Sequence, residues 1–129
     1  MRMFSQRGAR RTGVKAHLRA IQSPDVPDLR GWDAPASFAV CVQLTVGPEG
    51  EPGDDAFDVT LCTPDQLARE ASKEGVTDGR HHFVVDRYDF DRFDRYIRRR
   101  VESCEGATWD EVTAQLARIG RWEFENYVE

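Results

Sequence analysis

Phe38-Ala39-Val40-Cys41-Val42-Gln43-Leu44-Thr45-Val46 is followed by Gly47-Pro48-Glu49-Gly50-Glu51-Pro52-Gly53-Asp54-Asp55, and then by Ala56-Phe57-Asp58-Val59-Thr60-Leu61-Cys62. The first run alternates strictly, as a strand requires. Phe38, Val40, Val42, Leu44 and Val46 share one face, and Ala39, Cys41, Gln43 and Thr45 share the other. Both faces are partly apolar, which predicts a central strand. The middle run is too polar and too rich in Gly and Pro to enter a core, so it reads as an exposed hairpin loop. Phe57, Val59 and Leu61 alternate with Asp58, Thr60 and Cys62 as the return strand.

The flanking sequence extends this hairpin. Val14 to Ile21 reads as an earlier strand, with Val14, Ala16, Leu18 and Ala20 on its buried face. Residues 22–36 form a loop that lays Trp32 over the edge of the core. Thr63-Pro64-Asp65-Gln66 opens a helix, with Thr63 as cap, Pro64 at its first position, Gln66 closing a capping box, and Gly75 as the stop. A strand follows over about His81 to Arg87. Asp89 or Asp91 caps the next helix, whose buried stripe is Phe90, Phe93, Ile97, Val101 and Cys104, with Gly106 as its stop. Thr108-Trp109-Asp110-Glu111 is a second capping box, and Gly120 ends that helix. Arg121 to Tyr127 reads as a last strand, with Trp122 and Phe124 inward. The order predicts an α+β fold: a largely antiparallel sheet of about five strands with about three helices packed on one face. Residues 14–129 form one domain. Residues 1–13 form a basic arm that is expected to be disordered.

Composition narrows the function classes. At 129 residues, 40% hydrophobic and 32% charged, the chain is neither a coiled coil nor a disordered polymer. No run approaches the roughly 18 apolar residues of a membrane span. Arg10-Arg11 lacks a following apolar segment, so no export signal is read there, and a cytoplasmic protein is expected. The net charge of −5 is unevenly spread. Residues 1–20 hold six basic groups and no acid, leaving the other 109 residues with 12 Lys and Arg against 23 Asp and Glu. A body so acidic repels nucleic acid and anionic membrane and attracts basic partners.

Catalytic signals are weak. Adjacent His81 and His82 point to opposite faces of a regular strand and cannot share one ion, so no metal site is expected. Cys41, Cys62 and Cys104 form no CxxC and read as buried, reduced thiols. No phosphate-binding glycine motif or nucleophile elbow is present, and no cofactor is expected. Arg98-Arg99-Arg100 has Asp94 and Glu102 within one turn, which reads as a solvated helix face rather than a phosphate site. The acidic groups remain. Asp54 and Asp55 sit at a loop tip, Asp86, Asp89, Asp91 and Asp94 cluster ahead of and within a helix, and Glu123 and Glu125 lie on the wet side of the last strand. Together they are the candidate partner-binding residues, suited to capture of a cationic protein.

Several stretches carry a family likeness. They are Ser23-Pro24-Asp25, Val42-Gln43-Leu44-Thr45-Val46-Gly47-Pro48, Phe57-Asp58-Val59-Thr60-Leu61-Cys62-Thr63-Pro64 and Arg80-His81-His82-Phe83-Val84-Val85. The tail is the most specific: Trp109-Asp110-Glu111-Val112, Leu116, Arg118-Ile119-Gly120, Trp122-Glu123-Phe124-Glu125 and Tyr127. In this order and spacing, residues 14–127 resemble the immunity protein 8 family of bacterial polymorphic toxin systems. The resemblance implies an α+β protein that binds and neutralises a cognate toxin domain, without catalysis. An acidic binding surface would suit a nuclease toxin, whose substrate groove is basic. The alternative is a small cytoplasmic enzyme using His81 or His82 with a carboxylate.

Overall fold

The computed structural model describes residues 13–123. The basic arm, apart from Gly13, lies outside them, as do Phe124, Glu125 and Tyr127. The first strand, β1 (Val14–Gln22), pairs antiparallel with β2 (Ala39–Pro48), which pairs antiparallel with β3 (Asp55–Cys62). The hairpin register runs from Ala39 opposite Cys62 to Val46 opposite Asp55. β2 is therefore internal, as its alternation predicted. Val40, Val42, Leu44 and Val46 are buried, while Cys41, Gln43 and Thr45 on the other face are half-buried.

Helix α1 (Pro64–Glu74) carries the chain from β3 to β4 (His82–Val84), and β4 pairs parallel with β3. A strand–helix–strand connection returns the chain to its starting end, so the second strand must run parallel to the first. The sheet is thus mostly, but not purely, antiparallel. Helix α2 (Phe90–Glu102) leads to a two-residue strand, β5 (Glu105–Gly106), on the outer edge of β1. Helix α3 (Trp109–Leu116) precedes β6 (Arg121–Trp122), which pairs antiparallel with the start of β3. The sheet order is β4-β3-β2-β1-β5, with β6 beside β4 along the same edge of β3. The α+β class and the three helices match the sequence expectation.

The core lies between the sheet and the last two helices. Phe93, Ile97 and Val101 of α2 are buried, with Cys104 just beyond them, and Val112 and Leu116 of α3 are buried too. α1 is different: none of its residues is buried. Trp32 does lie over the core edge, with its ring 5.3 Å from Phe38 and 4.9 Å from Tyr88 in edge-to-face contacts.

Several local expectations change. Asp89, not Asp91, caps α2, accepting from Arg92 N–H at 3.2 Å. The Thr108 cap is made, accepting from Glu111 N–H at 3.2 Å. Thr63 makes no such cap. It is buried, and its hydroxyl accepts from Phe38 N–H at 3.1 Å, tying the end of β3 to the start of β2. Gly106 is not a helix stop but half of β5; Ser103 ends α2 instead. Gly120 does not end α3 either, since the helix stops at Leu116 with Ala117 as its cap; its role is in packing. A Cβ there would lie 3.0 Å from Val59 Cγ1 and 3.1 Å from Asp58 O, so any larger residue would have to push against β3.

The largest departure is a bulge in β1. The register steps from Leu18 opposite Val46 to Ala20 opposite Thr45, so Arg19 is the extra residue. Beyond it the faces exchange: Ile21, opposite buried Leu44, takes the inner face, and Ala20 does not. The bulge sends the Arg19 guanidinium over the β2–β3 loop. It donates to the carbonyl oxygens of Gly53 at 2.7 Å, Pro48 at 2.7 Å and Glu51. The loop is exposed, as expected, yet it is held. Gly47 makes room for this: a Cβ there would sit 2.4 Å from Gly53 O and 2.5 Å from Arg19 Cζ.

Two stability predictions follow from this packing. Ile97→Ala, at a side chain 0% exposed, should cost about 2–5 kcal/mol in urea unfolding. Arg19→Ala should leave the core intact, with a much smaller loss, while amide exchange at Gly50–Asp54 accelerates. Unchanged exchange in that loop would contradict the clamp.

Candidate functional site

The fold gathers acidic groups that the sequence scatters. The start of β1, the end of β2, the start of β3, β5 and the start of α3 all meet at one end of the sheet. Glu49 N–H donates to Lys15 O at 2.8 Å, and Trp109 Nε1 donates to Asp55 Oδ2 at 2.8 Å. Lys15 stands opposite Glu105 in the sheet. This end therefore carries Glu49, Glu51 and Asp54 from the β2–β3 loop, Asp55 at the start of β3, and Glu105, Asp110 and Glu111 from the β5–α3 segment. Glu123 joins them, accepting from Ala56 N–H at 3.1 Å. Lys15 and Arg19 lie here too, but Arg19 is spent on carbonyl oxygens and reaches Asp54 only at 4.0 Å. Among the described residues, Glu49, Glu51 and Asp110 make no ion pair.

Of the candidate residues, Asp54, Asp55 and Glu123 thus come together, while Glu125 lies outside the described residues. Sequence reading missed Glu49, Glu51, Asp110 and Glu111 as members of the group. The signal available was Trp109, whose indole N–H needs an acceptor once its ring is half-buried.

Asp86, Asp89, Asp91 and Asp94 lie elsewhere, each beside a donor. Asp86 is 3.6 Å from Arg92, Asp91 is 2.9 Å from Arg30, and Asp94 takes Arg98 at 3.0 Å. The Asp94–Arg98 pair is the one that helix spacing predicts. Arg98 also donates to Leu18 O at 3.0 Å, and Glu102 accepts from Leu18 N–H at 3.0 Å. These side chains close the edge of β1 rather than meeting only solvent.

The histidines occupy an irregular segment. His81 has φ 66°, the left-handed region, and is the one non-glycine with positive φ among the described residues. Its Nε2 lies 2.9 Å from Ala117 O. His82 faces Arg80 O through Nδ1 at 3.0 Å and Glu70 through Nε2 at 3.3 Å. Among the described residues, no group of three or more His, Cys, Asp or Glu could hold a metal ion. Cys62 and Cys104 are buried, as expected, whereas Cys41 is half-buried. Burial pushes all three thiols above their ordinary value, and Asp58 and Asp25 add to it at Cys41. Such thiols are protonated and poor nucleophiles at neutral pH.

The sequence profile described as immunity protein 8 matches residues 16–127. That span covers most of the chain, from β1 through β6. The chain belongs to the immunity protein 8 family. No curated protein and no solved structure matches it. Membership gives an immunity role in a toxin system. Among the described residues, no helix is long and apolar enough to cross a membrane.

The thiol environments give two expectations. Iodoacetamide at neutral pH should modify Cys41 before Cys62 and Cys104, and all three more slowly than free cysteine, read by intact mass. Each raised thiol contributes stability that is complete below the unfolded value of about 8.5 and is lost as pH climbs through the higher folded value. Stability should therefore fall with alkalinity, and this part of the fall should vanish in a Cys41→Ala, Cys62→Ala, Cys104→Ala background.

Proposed function

We propose that this immunity protein 8 family member acts in the cytoplasm, binding a cognate toxin domain one-to-one through the acidic end of its sheet. The observation that carries the proposal is the convergence of Glu49, Glu51, Asp54 and Asp110, held on one rim by the Arg19 clamp and the Trp109–Asp55 hydrogen bond. A rim that is already ordered loses little conformational entropy on binding. Carboxylates arranged on it match a basic partner face. If the toxin is a nuclease, its substrate groove is such a face, and the inhibitor's carboxylates stand where phosphates would bind. Blocking that groove needs no bond made or broken.

Protection at low toxin copy number calls for nanomolar binding or tighter, about −12 kcal/mol. A patch of about 800 Å² on each partner suffices. Charge complementarity acts first on the association rate. With the toxin domain of the same locus, that rate should fall at least about tenfold between about 50 mM and 500 mM salt, because screening shortens the range of attraction. Glu51→Lys with Asp110→Lys should slow association further while the fold persists by circular dichroism. An association rate independent of salt would overturn the electrostatic reading.

The catalytic alternative draws its support from the His82–Glu70 contact. It separates cleanly from inhibition. His82→Ala and Glu70→Gln should each leave protection in co-expression unchanged, and loss of protection by a folded His82→Ala variant would favour the alternative.

A further inference from the structure

The opposite charge collects in one groove. Between β4 and α2 lies a cleft of about 630 Å³, with Phe83, Phe93 and Tyr96 among its lining. Phe83 stands 6.3 Å from Phe93 and 6.1 Å from Tyr96, so the two elements meet through their rings. Arg87, Arg92, Arg100 and Arg118 also line this cleft, against the carboxylates of Asp86 and Asp89. Those two carboxylates are engaged, one with Arg92 and the other capping α2. Arg87, Arg100 and Arg118 make no ion pair among the described residues. In a chain of net charge −5, this groove has the reverse sign. Arg100 escapes the pairing expected for the Arg98–Arg100 run because Asp94 and Glu102 both turn to Arg98.

The groove also borders an open sheet edge. β4 ends the strand order, with β3 on one side. Thr60 N–H donates to His81 O at 2.9 Å and Val85 N–H to Cys62 O at 2.9 Å, so these groups face β3. In a parallel ladder alternate residues face opposite edges, which turns the main-chain N–H and C=O of Val84 outward. Val84 is 48% exposed and Tyr96 43%, and both line the groove. The left-handed turn at His81 and its bond to Ala117 O fix where this edge begins.

We propose that this groove is a second docking site, which takes an acidic, extended peptide segment of a protein partner. The peptide pairs its main chain with the free edge of β4. Alternate side chains of an extended strand share one face, about 6.6 Å apart, so acidic groups at every second position meet the arginines. The residues between them point to the opposite face, where small apolar side chains lie beside exposed Val84. The site is distinct in place and sign from the acidic rim, and it does not depend on that rim's role.

The test uses the full chain and a fluorescein-labelled, end-blocked peptide of about eight residues alternating Glu and Val, read by anisotropy at low salt. Saturable binding is expected, with the Val84 amide among the shifted NMR signals. Arg87→Glu with Arg118→Glu should weaken binding at least about tenfold, and Arg87→Gln with Arg118→Gln should weaken it less. Both pairs change exposed side chains, and circular dichroism checks the fold. The same peptide with Lys for Glu should not bind, and N-methylation of its alternate amides should weaken binding. No saturable binding up to about 1 mM, or binding indifferent to the double reversal, overturns the proposal. So does full displacement by inorganic phosphate at equal concentration, which marks a simple anion site. Self-association of the chain that the double reversal abolishes would give the groove to a second copy instead, and would also overturn it.

Discussion

Leu18 carries a main-chain N–H and C=O on the outer edge of β1, just past the point where the short strand β5 stops. Glu102 and Arg98, one turn apart on α2, satisfy both groups. Left without partners under the helix, this N–H and C=O would each cost about 1–3 kcal/mol. The closure by side chains therefore fixes where α2 lies along the sheet, and the buried stripe Phe93–Ile97–Val101 follows. The same contacts meet β1 next to its bulge, where Arg19 swings out to seize the β2–β3 loop. One local irregularity thus couples the helix layer, the sheet edge and the acidic rim.

Much of this was legible in the residues. The alternation of Phe38–Val46 and Phe57–Leu61 gave the central hairpin with its inner face, and the stripe of α2 gave the covering helix. Periodicity reports which face is buried, so it works where packing is regular. It failed at β1 beyond Leu18, because a bulge exchanges faces without any mark in the apolar pattern. It also missed β5 and ran the strand at β4 from His81 to Arg87, whereas β4 spans only His82–Val84 and His81 has a left-handed backbone. Thr63 shows a different failure. Its position before Pro64 fits a cap, but a buried hydroxyl next to an unpaired Phe38 N–H goes to the longer-range partner.

The site was less legible than the fold. Acidic residues were visible as a class, but a charge matters through its neighbours, and neighbours are set by topology. Asp91 and Asp94 have arginines beside them, whereas Glu49 and Asp110 have no ion pair among the described residues. The result is a polarised molecule, with carboxylates at one end of the sheet and guanidinium groups along the far edge beyond β4. An immunity protein gains from such an arrangement, since complementary charge selects one partner while like charge repels others.

Deuterium exchange read by mass spectrometry, on the complex with the toxin domain, tests the central claim most directly, because exchange reports the contact and the undeuterated control reports any covalent change. Slowed exchange is expected across Glu49–Asp55 and Glu105–Glu111, with the undeuterated intact masses of both proteins unaltered. An undeuterated toxin mass that shifts with time in the complex, or a complex in which that rim exchanges as fast as in the free protein, would contradict it.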